Sequence, residues 1–169
     1  MRLLSVAAVA IALSSPAHAA QNTDFAAQTP GVHGLDLVKK QDRFSDMATI
    51  DRLISDREYA KAIPVLEHVL SGSDATQRDR SIGYNLKGLS LYMVGRVAEA
   101  IDDFSASLRI QDDAKIDNPH RWKTIFNRGI AYEAAKDLRS AADDYVRAYA
   151  MAPNERLVQR KIYNFFNKE

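Results

Sequence analysis

The sequence predicts an all-α protein built as a stack of helix pairs, and three observations carry that expectation. From Phe44 onward apolar residues recur three and four positions apart, and no stretch alternates with a period of two. The glycines and prolines of this region stand at separated positions, several of them where one periodic segment gives way to the next. The text around Gly88 returns around Gly129, so the chain repeats itself.

Composition bounds the rest. A chain of 169 residues fits one domain with a tail, and 46% hydrophobic residues argues against wholesale disorder. With no Cys there are no disulfides, thiolate zinc sites, iron–sulfur ligands, cysteine nucleophiles or lipid-modified N-terminal Cys. Lys+Arg 23 against Asp+Glu 22 lacks the basic excess expected of a nucleic-acid or anionic-membrane binder.

The first segment reads as an address. Arg2 supplies a positive charge, Leu3 to Leu13 (LLSVAAVAIAL) is nearly all apolar, Ser14, Ser15 and Pro16 break the run, and Ala17-His18-Ala19 follows. A basic start, an apolar run of about 7–15 residues and a small-x-small end make a secretory signal peptide over residues 1–19. A membrane anchor would need about 20 apolar residues. Cleavage after Ala19, or after Ala20, removes Arg2 and leaves 22 basic against 22 acidic residues. The absence of an Asn-x-Ser/Thr sequon favours a bacterial envelope. The expectation is an exported protein, periplasmic or secreted, with no stable membrane insertion once the signal is removed. Residues 20–42 show no sustained period, carry breakers at Thr29-Pro30-Gly31 and Gly34, and read as a flexible arm. That arm is a spacer, or a docking peptide using Phe25, Val32, Leu35 and Leu37.

Helices are expected at 44–55, 59–71, 75–94, 97–110, 119–135, 138–151 and 155–167. Ser71-Gly72-Ser73-Asp74 ends one and offers caps for the next; Gly95 separates two more; Asn118-Pro119 reads as a cap with proline at the first helical position; Pro153-Asn154 divides the last two. Pro64 falls early enough in its helix to be tolerated.

Self-similarity separates a stack from a bundle. Gly88 and Gly129 are each followed twelve residues on by Ala100 and Ala141, and four further by Phe104 and Tyr145; Pro153 lies eight beyond Tyr145. The flanking text agrees (GLSLYMVGRVAEAIDDFSASL against GIAYEAAKDLRSAADDYVRAY), and ATIDRLISDREYAKAIPVLEHVL is a weaker earlier copy with Ala62 and Leu66 in place. These residues resemble the tetratricopeptide repeat (TPR) family, whose pattern is W-x2-L-G-x2-Y, then A-x3-F, then P, over about 34 residues. The third copy matches at Gly129, Tyr132, Ala141, Tyr145 and Pro153. The second matches at Gly88, Ala100 and Phe104, with Leu91 for Tyr; the first has Ile50 for Gly. Ala62 to Ala100 is 38 residues and Ala100 to Ala141 is 41, the excess falling at 72–77 and 111–118. The resemblance implies a right-handed α-solenoid of about three TPR helix pairs over 43–154. The stretch 155–169 is expected to form a capping helix, with Val158, Ile162, Phe165 and Phe166 covering the third pair and Gln159, Arg160, Lys161, Asn164 and Lys168 facing water. The rival reading makes Phe165 and Phe166 a partner-binding tip. Glycine and alanine at the crossings let paired helices approach closely, and Phe104 and Tyr145 fill the space beside them.

No catalytic, cofactor or metal site is expected. His33, His68 and His120 form no HExxH or other trusted ligand pair, and GxGxxG, GxxxxGK[ST] and GxSxG are absent. The doublets Asp102-Asp103 and Asp143-Asp144 occupy equivalent repeat places; adjacent helical residues point about 100° apart, so both read as solvated faces rather than acid/base pairs. Asp112-Asp113 also reads as no acid/base pair, and Trp122 reads as core.

The resemblance further implies that the first helices of the pairs line a groove for an extended peptide or a helix of another protein. Asn85, Leu89 and Tyr92 of the second copy and Lys123, Asn127 and Ile130 of the third are the expected groove residues, with Ile82, Glu133, Met47, Asp51 and Ile54 on the like faces. Met47, Asp51 and Leu86 stand where a carboxylate-binding set would want polar or basic groups. The functional expectation is a non-enzymatic adaptor or scaffold that needs no cofactor, does not bind nucleic acid, and engages another envelope protein. The alternative is a structural subunit that self-associates through its C-terminal helix.

Overall fold

The computed structural model describes residues 46–167. The expected signal peptide (1–19), the expected arm (20–42), positions 44–45 of the expected first helix and Lys168 lie outside the described residues. Among the described residues every regular element is a helix: α1 over 46–55, α2 (Tyr59–Ser71), α3 (Gln77–Met93), α4 (Val97–Asp113), α5 (Arg121–Ala134), α6 (Leu138–Met151) and α7 (Arg156–Phe166). From α2 to α7 each helix packs on the next in chain order. None of them is long and apolar enough to cross a membrane.

The helix ends differ from expectation for local reasons. α3 is capped by Thr76 rather than by Ser73 or Asp74: the Asp79 amide donates to Thr76 Oγ1 at 3.1 Å while the Thr76 amide donates to Asp79 Oδ2 at 3.0 Å, a reciprocal capping box. Pro119 lies outside α5. Asn118 Oδ1 accepts from the His120 amide at 2.9 Å, folding Asn118-Pro119-His120 into an Asx turn that ends where α5 begins. α4 runs to Asp113, so part of the spacing excess at 111–118 is an added stretch of helix, pinned by Gln111, whose Nε2 donates to Ser107 Oγ at 3.2 Å and whose Oε1 accepts from Asn118 at 3.3 Å. Pro64 sits in the second turn of α2 with its ring exposed.

The turns α1–α2, α3–α4 and α5–α6 share one geometry. Arg57, Gly95 and Lys136 occupy the same place, five residues before Ala62, Ala100 and Ala141, and all take positive φ (61, 86 and 67°). In each, the next amide reaches back to close the helix: Glu58 to the Leu53 carbonyl at 2.8 Å, Arg96 to Leu91 at 2.9 Å, Asp137 to Tyr132 at 3.0 Å. Beside it the positive-φ residue's own amide bonds Ile54, Tyr92 or Glu133. This is the Schellman pattern, which satisfies carbonyls that a helix end leaves open.

The crossings also recur. A Cβ placed on Gly88 would lie 2.9 Å from Phe104 Cδ1 and 3.2 Å from the Ala100 carbonyl oxygen; one on Gly129 would lie 2.9 Å from Tyr145 Cε1 and 3.2 Å from Asp144 Cβ. Ala62, Ala100 and Ala141 are all fully buried. In the first pair Ile50 and Leu66 fill the corresponding places, both buried. Two apolar clusters result: one from α1 to α4 extending to Ala131, the other from Leu108 through α5, α6 and Val158 of α7. Trp122 joins the second as core, and an aromatic series runs from Phe126 to Tyr145, tilted at 5.7 Å, and on to Phe165, edge-to-face at 5.1 Å.

Two further devices link neighbouring helices at equivalent places. Arg80, at the start of α3, donates to the carbonyls of Leu70 (3.3 Å) and Gly72 (3.2 Å) at the end of α2. Arg121, at the start of α5, donates to the Leu108 carbonyl (3.4 Å) and pairs with Asp112 on α4. Inside each of the last two pairs, the residue before the glycine is a cation bound to a buried acid of the facing helix: Lys87 with Asp103, Arg128 with Asp144. The acidic doublets are therefore not wholly solvated faces. Asp102 and Asp143 face water, but Asp103 and Asp144 turn inward, because the step between adjacent residues that separates the carboxylates puts one of them on the packed side.

Candidate functional site

The six expected groove residues come from α3 and α5, the first helices of the second and third pairs. Tyr92 and Ile130 are half-buried, but Asn85, Leu89, Lys123 and Asn127 are buried. Asn85 and Asn127 are not equivalent: stepping 41 residues from Asn85 reaches Phe126. Leu89 is core between the helix pairs.

The electrostatics of the four polar or ionisable groups are uneven. Asn85 Oδ1 and Asn127 Oδ1 are closed off from solvent and have no hydrogen-bond partner. An unpaired buried acceptor costs about 1–3 kcal/mol. Lys123 lies with its ammonium 5.5 Å from the Trp122 ring centroid, and burial pulls its pKa below the ordinary lysine value, against the opposing charge of Glu155. Tyr92 is pushed above the ordinary tyrosine value, first by burial and then by the charge of Glu133.

Glu133 holds the C-terminal helix in place. Its Oε2 accepts from Tyr145 Oη at 2.7 Å and lies 2.7 Å from Lys161 Nζ, so α5, α6 and α7 meet at one carboxylate. Lys161 is therefore half-buried and paired rather than facing water, because it reaches over the Tyr145 ring at 5.3 Å to this acid. The Tyr145 hydroxyl is held protonated, by burial first and by Glu133 second. The apolar side of α7 divides: Val158, Ile162 and Phe165 turn inward, while Phe166 turns out and does not cover the third pair.

His68 is exposed, 3.9 Å from Asp46 Oδ2, and His120 is exposed in the turn before α5. Among the described residues no group of three or more His, Asp or Glu gathers as a metal ion would need. The buried ion pairs were missed at the sequence level although their signal is present: Arg80/Arg121, Lys87/Arg128 and Asp103/Asp144 each repeat the residue type 41 positions on. No family model matches the sequence, and neither a curated protein nor a solved structure matches it.

Proposed function

We propose that the protein is a non-catalytic adaptor of the TPR type, exported to the bacterial periplasm, that holds a segment of another envelope protein against the faces of its first helices. The observation that supports this most is the recurrence of one helix-pair geometry, with the same turn at Arg57, Gly95 and Lys136 and the same crossing at Gly88 and Gly129. Stacked pairs of this kind form a curved wall whose first helices line one side. On that side Tyr92 and Ile130 offer half-open apolar contacts, and Asn85 and Asn127 carry acceptors that a peptide N–H would satisfy if the side chains over them moved aside. Tyr92 and Ile130 are therefore the primary contacts and the amides secondary ones.

The test is photo-crosslinking in intact cells from a reactive residue at Tyr92 or Ile130, with exposed Arg109 on α4 as control. The same adduct from both groove positions and none from Arg109 is the expected result. Equal labelling at Arg109, or no adduct from either groove position, contradicts the reading. Fractionation with N-terminal sequencing, expected to begin at Ala20 or Gln21, tests export.

A further inference from the structure

α7 is joined to the rest of the protein differently from the helices before it. At the two earlier joints between pairs, an arginine near the start of the incoming helix grips the end of the outgoing one. Arg80 donates to the Leu70 and Gly72 carbonyls, and Arg121 donates to the Leu108 carbonyl and pairs with Asp112. Each arginine stands eight residues before its crossing glycine. Burial sets the register of α7. Stepping 34 residues carries the buried Thr124 and Ala131 of α5 onto Val158 and Phe165, which pack inward, and carries Gly129 onto Tyr163. The place of the arginine then falls to Glu155, whose carboxylate cannot donate to the carbonyls that end α6. Its charge acts on Lys123 of α5 instead. Arg156, the next residue, is exposed and makes no hydrogen bond or ion pair among the described residues. The cation that precedes each crossing glycine, Lys87 or Arg128, is also replaced, by Ile162.

What holds α7 is small and gathered around one ring. Val158 is the one buried residue of its 11. Ile162 and Phe165 are half-buried against the second apolar cluster, and Phe165 meets the Tyr145 ring edge-to-face at 5.1 Å. Over the same ring, Lys161 Nζ lies 2.7 Å from Glu133 Oε2, which also accepts from Tyr145 Oη. The connector at 153–155 is exposed, and its bond to α7, from Gln159 Nε2 to the Pro153 carbonyl at 2.7 Å, can move with the helix. A helix of 11 residues is marginal alone in water, so α7 keeps its shape only while docked. An element with few buried apolar groups opens at a lower free energy than the core it rests on.

We propose that α7 is a lid that opens and closes on its own about residues 152–155, with Glu133 as its catch. Opening withdraws Phe165 from the Tyr145 ring and Val158 from the second cluster, and so uncovers the aromatic face of the α5–α6 pair. The earlier pairs stay folded, because each is held by its own neighbours. The lid does not depend on where a partner binds, so it and the Tyr92–Ile130 reading can fail separately.

The test is hydrogen exchange of the purified full chain, read peptide by peptide by mass spectrometry. In wild type, amide protection at 160–166 should be at least about tenfold lower than at 125–134 and 142–151. It should also respond less to urea, since a local opening exposes less surface than global unfolding. Glu133→Gln keeps an acceptor for Tyr145 and removes the charge facing Lys161; Lys161→Met removes the other half of the pair and keeps an unbranched stem. Each should lower protection at 160–166 about another tenfold and leave 81–91 of α3 unchanged. The double variant should do no more than either alone, because both break one contact. Arg156→Ala should change nothing. Equal protection of α5, α6 and α7 in wild type overturns the proposal, and that comparison needs no variant. So does a loss on Glu133→Gln or Lys161→Met that spreads evenly over all the helices, or two losses that add in the double variant.

Discussion

The α3–α4 and α5–α6 pairs close on the same device with different quality. In α5–α6, Arg128 Nε and Nη2 donate to the two Asp144 oxygens at 2.7 and 2.8 Å, Nη1 reaches Ser105 at 3.1 Å, and Arg147 approaches from the far side at 3.5 Å. In α3–α4, Lys87 Nζ lies 3.2 Å from Asp103 Oδ2, a single ammonium contact where the other pair has a fork. A planar fork satisfies a buried carboxylate; a single ammonium does not. Burial accordingly pushes the Asp103 carboxyl above the usual carboxylate value, more than Lys87 pulls it down. One repeated position therefore holds a bidentate ion pair in one place and a single-contact pair in the other.

The largest expected difference follows from removing the acids. Asp144→Ala leaves Arg128 buried with only Ser105 and should cost about 3–5 kcal/mol in urea unfolding. Asp103→Asn should cost no more than about 1 kcal/mol, because Lys87 can swing its ammonium to water along a flexible stem. Equal losses would erase the contrast. The contrast also has a pH dependence. A folded-state pKa raised above the unfolded value contributes stability that is full below the unfolded value and is lost as pH rises through the folded one. Wild type should therefore gain on Asp103→Asn as pH falls from neutrality through the raised Asp103 pKa, as paired thermal melts would show.

Crossing glycines come next. Gly88→Ala and Gly129→Ala should each cost about 1–3 kcal/mol, since the new methyl meets a ring carbon at 2.9 Å in both. The two should be close in size, because the Ala100 carbonyl oxygen and Asp144 Cβ, each at 3.2 Å, are both held by the backbone. Gly83→Ala meets only the mobile end of Leu70 at 3.0 Å and should be close to neutral, with the helix-propensity gain of about 1 kcal/mol offsetting the contact. The turns give the smallest effects: Lys136→Gly should stabilise and Gly95→Ala destabilise, each by about 1 kcal/mol, because both sites hold positive φ.

What was legible in the sequence is what repeated in residue type with a steric meaning. Gly88, Gly129, Ala100, Ala141, Phe104 and Tyr145 announced the crossings, and the apolar period placed seven helices within a few residues. The turn conformation was hidden because Arg57 and Lys136 do there what glycine does at Gly95, and neither residue advertises a positive φ. The inward carboxylates were hidden because a doublet reads as polar while one of its members faces the neighbouring helix. The face expected to line a groove was only partly legible: Tyr92 and Ile130 are half-buried, but Leu89, in the apolar cluster that reaches Ala131, and Lys123 show that a residue facing away from the glycine contact can still be buried.

The claim that one helix-pair unit is used twice is tested most directly by Lys87→Arg. If the two crossings are equivalent, the arginine finds the bidentate geometry that Arg128 has with Asp144, and urea unfolding should show a gain of about 1 kcal/mol. A loss of that size would mean that Asp103 and Asp144 do not occupy the same place.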